Sequence, residues 1–78
     1  MLALLTKCGE ALYGPRFQSE LARDLGVADR TMRRWIAGDT AIPAGVCADL
    51  RRLIKERRLL LSQVDKAISE AQREQDNG

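Results

Sequence analysis

Gln18–Ile36 reads QSELARDLGVADRTMRRWI, and the rest of the chain is organised around it. Leu21 and Leu25 are one helical turn apart and share a face. Ala22 is small enough for a second helix to cross close by. Gly26 follows Leu25 directly, where a helix end favours a residue tolerant of positive φ, and Val27 plugs the turn. Met32, Trp35 and Ile36 repeat at i, i+3, i+4 as the apolar face of a second helix. Arg30, Arg33, Arg34 and Ala37 fall at i, i+3, i+4, i+7 on the opposite side. The stretch therefore predicts helix, tight turn, helix, with a basic outward face on the second helix.

An outward basic face on the second helix of such a pair suits reading of the DNA major groove. Arginine pairs bidentately with guanine O6 and N7. Arg30 and Arg33 are the candidate base contacts, and Arg34 is a candidate for base or phosphate. The plainer alternative for all three is a solvated face. Asp29 has two readings. In the first turn it favours the helix dipole and can pair with Arg33 at i+4, and it can also accept from cytosine N4. Trp35, spaced with Met32, belongs to the core.

The segment resembles the helix-turn-helix of Cro- and cI-type phage repressors, the xenobiotic-response-element-type regulators. The resemblance rests on Gln18 opening the first helix, the pair Leu21-Ala22, the turn Leu25-Gly26-Val27, and Met32 and Trp35 at core positions. As a domain it covers roughly residues 2–58. It implies that the loop after the second helix touches backbone phosphate. That loop, Asp39-Thr40-Ala41-Ile42, holds Asp39 and no Lys or Arg, which leaves Thr40 and backbone amides for the contact. Size and resemblance together imply a small phage or mobile-element regulator, a group that includes Cro-like repressors, antitoxin autoregulators and anti-CRISPR-associated autorepressors.

With 78 residues the chain makes one small domain, of a size that often gains stability by dimerising. Leu, Ala, Arg and Glu are abundant and aromatics are few, which favours an all-α fold. The net charge is only +2, but it is unevenly spread. Arg51, Arg52, Lys55, Arg57 and Arg58 face Glu56 alone, whereas Asp65, Glu70, Glu74 and Asp76 outnumber Lys66 and Arg73. A basic body suits phosphate. Cys8 and Cys47 have no neighbouring Cys at ligand spacing, and the chain has no His, which excludes zinc and thioredoxin-like readings. Both are expected as buried free thiols in a reducing cytoplasm. The run Leu2–Leu5 is too short for a signal sequence or a membrane span. No cofactor is implied. An enzyme is disfavoured, for want of a His, a nucleophile with a base, or a phosphate loop.

Residues 2–12 predict a first helix with Leu4, Leu5, Cys8 and Leu12 on one stripe and Tyr13-Gly14 at its end. Gly9 either weakens it or marks a close crossing. The next helix starts between Pro15 and Gln18, with Phe17 inward. Its N-terminus suits a DNA phosphate, so Arg16, Gln18 and Ser19 join Thr40 as candidate phosphate contacts; local capping is the alternative for Gln18. Gly38 ends the recognition helix and Pro43 starts the following one.

From Ala44 the chain reads as helical to about Ala71, with Val46, Cys47, Leu50, Leu53 and Ile54 inward. Arg51, Arg52, Lys55 and Arg58 belong to a solvated face, with flanking phosphate as the lesser role. Ser62-Gln63-Val64-Asp65 has capping-box character and favours a break near 58–62, although Leu59-Leu60-Leu61 holds no Gly or Pro. Leu61, Val64, Ile68 and Ala71, spaced 3, 4 and 3, form a second apolar seam, read as a dimer interface in preference to one folded back on the body.

The expectation is therefore a compact four- to five-helix protein. Residues 1–58 form the DNA-binding domain, 59–75 a C-terminal dimerisation helix, and 76–78 a disordered tail, with fraying beyond Arg73. It would bind double-stranded DNA as a homodimer, away from any membrane and with no small-molecule effector, most simply as a repressor. The alternative is a protein-binding module, such as an antitoxin-like partner protein using the C-terminal helix.

Overall fold

A computed structural model describes residues 1–77. They form four helices and, among the described residues, no strand: α1 (Leu2–Tyr13), α2 (Gln18–Leu25), α3 (Asp29–Ala37) and α4 (Val46–Asn77). Leu5, Phe17, Leu21, Ala22, Met32, Trp35, Val46, Leu50 and Leu53 make a single core. The body consists of α1, α2, α3 and the first half of α4, which packs against α1 and α2.

Glycines set the turns. At Gly26 (φ 74°) the chain turns left-handed, and the amides of Gly26 and Val27 donate to the carbonyls of Arg23 and Ala22 at 3.1 and 2.9 Å. Gly38 (φ 78°) repeats the arrangement, with Gly38 and Asp39 donating to Trp35 and Arg34 at 3.0 and 2.9 Å. Each is a paired C-terminal cap that satisfies two carbonyls of the last turn. Gly9 is needed for a different reason. A Cβ there would lie 2.6 Å from Cγ of Phe17, so the ring rests directly on the backbone of α1.

Several expectations are corrected. No break occurs near 58–62, and α4 is continuous through the 58/59 boundary. It holds no Gly or Pro and is rich in Leu, Arg, Lys, Glu, Gln and Ala, so propensity outweighs the weak capping box at Ser62. The same propensity carries the helix past Arg73 through Asp76 and Asn77, against the expected disordered tail; Gly78 lies outside the described residues. Pro43 does not start α4: Pro43-Ala44-Gly45 form a turn, with the Val46 amide donating to the Pro43 carbonyl at 3.1 Å.

Leu4 stands 62% exposed, at the edge of the stripe that Leu5 and Gly9 centre. Cys47 is exposed and Cys8 only partly buried, since both sit beside the buried row rather than within it. With Met1, Leu4 and Ile54 they line a shallow apolar depression.

The molecule is also not compact. Its radius of gyration is 16.8 Å and its extents are 59 × 22 × 19 Å, against about 11.5 Å for the radius of a compact chain of this length. The excess is the second half of α4, which projects from the body as an arm.

Candidate nucleic-acid interface

α3 presents two unlike faces because its sequence alternates them at helical spacing. Met32 and Trp35 are 0% and 5% exposed and fix the helix to the core. Arg30, Arg33, Arg34 and Ala37 are exposed on the other side and, with Asp39, line one shallow depression. The cap at Gly26 sets where α3 enters and the cap at Gly38 where it ends, so the arginine row is carried on a helix held at both ends.

Among the described residues none of the three guanidinium groups makes a hydrogen bond or ion pair. Among the described residues the ion pairs are Arg23–Asp24 at 3.8 Å and Arg52–Glu56 at 3.1 Å. The expected i,i+4 pair between Asp29 and Arg33 is not formed. Asp29 stands exposed in the first turn of α3 behind Ala28, which gives no side-chain cap. Arg30, Arg33 and Arg34 thus present planar forks of N–H donors to solvent, with carboxylates at either end, Asp29 and Asp39.

The candidate phosphate residues gather at the start of α2, except Thr40. Pro15, Arg16, Gln18 and Ser19 line a second shallow depression. Phe17 occupies the N-cap with its backbone in the right-handed helical region, and no side chain caps the helix, so Gln18 does not act as a local cap. The first backbone bond at this end is Leu21 N–H to the Phe17 carbonyl at 2.8 Å. The amides of Gln18, Ser19 and Glu20 are left open at the positive end of the helix. Thr40 is exposed in the loop after α3 and lines neither depression. Leu61, Val64 and Ile68 are 60%, 47% and 61% exposed, and Ala71 is exposed with them.

The sequence reading missed two things. Asp39 shares the surface of the arginine row, a position implied by its place directly after the Gly38 cap. Arg57, counted only as part of a basic run, is tied into the body beside Tyr13 and Asp24. Among the described residues no cluster of His, Cys, Asp or Glu side chains is placed to hold a metal ion, and no helix is long and apolar enough to cross a membrane.

Comparison with protein-family models, curated proteins and solved structures gave no match for this chain.

Proposed function

We propose that the chain is a sequence-specific double-stranded DNA-binding protein, with α2 and α3 acting as a helix-turn-helix and α3 entering the major groove. The observation that carries this reading is the row Arg30, Arg33 and Arg34, exposed and unpaired on the outer face of a helix whose other face is buried. Three such groups on so short a helix are matched to guanine edges and phosphate oxygens. Asp29 would favour cytosine at its end of the row. Arg16, Gln18 and Ser19 would hold one flanking phosphate and Thr40 another.

The arm would supply the second half of the binding unit. Two copies joined through Leu61, Val64, Ile68 and Ala71 would read an inverted repeat, with half-sites about one helical turn, ~34 Å, apart. Occupancy of such a site blocks polymerase, and the simplest role is that of a repressor, in keeping with a phage or mobile-element autorepressor.

The test is selection of random duplex DNA by the purified protein at about 150 mM salt, where charges are screened over ~8 Å. An enriched inverted repeat is the expected result. Uniform, salt-sensitive binding without enrichment would reduce the row to a nonspecific basic face. The exposed seam of the arm would then favour the second reading, a protein-binding module, for which charge reversal at Arg30 and Arg33 leaves function intact.

A further inference from the structure

We infer that the arm is covered by the arm of a second copy of this chain running antiparallel to it. This rests on the proposed homodimer and adds its orientation and register.

The first observation is the phase of α4. Val46, Leu50 and Leu53 are buried against the body, and Arg57 turns toward α1, donating to the Leu12 carbonyl. Continuing at steps of three and four, the same stripe passes through Leu60 or Leu61, then Val64, Ile68 and Ala71. At about 100° per residue these positions lie on one side of the helix. The apolar face of the arm is therefore the face that the body occupies one turn earlier. A second α4 laid parallel and in register would run into space already filled by α1 and α2. Laid antiparallel, its own body lies at the far end, and only its tip approaches this one.

Charge favours the same choice. The body end of α4 carries Arg51, Arg52, Lys55, Arg57 and Arg58 against Glu56, while the tip carries Asp65, Glu70, Glu74 and Asp76 against Lys66 and Arg73. Antiparallel pairing sets each acidic tip beside a basic root; parallel pairing sets like beside like. In the register centred on Lys66, Leu61 meets the partner's Ala71 and Val64 meets the partner's Ile68, and the partner's last residues come level with Lys55–Arg58. The partner's last turn then reaches the shallow depression at the root of the arm, where Tyr13, Asp24, Arg57 and Leu60 meet. This register also brings the two Asp65 carboxylates toward each other near the axis, on an exposed flank where solvent and salt screen them.

The test uses the whole chain. A spin label on the exposed native Cys47, in a Cys8→Ser background, should give one label–label distance of about 57 Å, from roughly 38 residues of helix at 1.5 Å each. Ile68→Glu, at an exposed position, should abolish it. In a second readout that leaves Cys8 in place, Leu61→Cys with Ala71→Cys is oxidised and the cross-linked peptides are mapped; disulfides joining 61 to 71 between chains are expected. A dimer with a label distance under about 30 Å, or with 61–61 and 71–71 disulfides, would overturn the orientation while leaving the homodimer standing. A monomer by sedimentation would overturn both. The DNA selection decides the DNA-binding reading separately.

Discussion

The Arg57 guanidinium donates a hydrogen bond to the carbonyl oxygen of Leu12 at 2.7 Å. It also lies 5.4 Å from the centre of the Tyr13 ring. Leu12 belongs to the last turn of α1, whose carbonyls have no partner within the helix, and a cation there also meets the negative end of the helix dipole. One side chain of α4 therefore closes the end of α1 at the place where the arm leaves the body. Arg57→Met should lower stability by about 1–2 kcal/mol in urea unfolding, from a charged hydrogen bond and a cation–π contact, and Arg57→Lys should recover part of it. An unchanged midpoint would mean that the contact contributes nothing.

The neighbouring Tyr13 hydroxyl donates to the Asp24 carboxylate. Burial first, then this bond and the negative charge of Asp24, push the phenol up to about 12 from 10.0, while Arg57 opposes the shift. A phenol raised on folding adds stability that is fully present below pH 10 and is lost as pH rises toward 12. With a single Tyr in the chain, ultraviolet titration of the phenolate reads this group alone. The midpoint should lie near 12 in the native protein and fall only part of the way toward 10 in Asp24→Ala, because burial, the largest cause, remains; a native midpoint at 10 would contradict the assignment.

Gly9→Ala sets two effects against each other. Alanine in a helix interior gains about 1 kcal/mol over glycine. The added methyl falls on the buried Phe17 ring, and overpacking of this kind costs about 1–3 kcal/mol. The steric term wins, and the melting temperature should drop by about 5 °C for each net kcal/mol in a domain this small. A rise would show that the ring has room to move.

On the proposed DNA-binding reading, Arg33→Ala should weaken binding by about 1–3 kcal/mol at one base pair of the selected site and relax the preference there. Stability should change little, because the side chain is exposed and, among the described residues, makes no hydrogen bond or ion pair. An equal loss on every sequence would make Arg33 a phosphate residue instead.

Much of the body was legible in the sequence because its signals are local. The spacings of Leu21 with Leu25 and of Met32 with Trp35 and Ile36, and glycines at 26 and 38, place α2 and α3, with the start of α2 left open between Pro15 and Gln18; the helix begins at Gln18. The arginine row followed from the same spacing. What was not legible depends on contacts distant in sequence. Arg57 looks like any other cation of its run until α1 folds beside it, and Cys47 looks inward until the body shows which flank of α4 it covers. The expected break at 58–62 gave too much weight to one capping pattern. A single Ser and Asp do not outweigh a long run of residues that all favour helix.

The continuity of α4 has a geometric consequence. The row that faces the body and the seam on the arm share one backbone, so the angle between them is fixed by residue count alone. Deleting or adding one residue near Leu59 would swing the seam by about 100° relative to the body and turn it away from its proposed cover. Seven residues, about two turns and ~10.5 Å, would bring it nearly back into line. The arm is thus a ruler with coarse divisions: its reach can change in heptads with little loss of facing, whereas a change of one or two residues would turn the apolar row aside by about 100° or more.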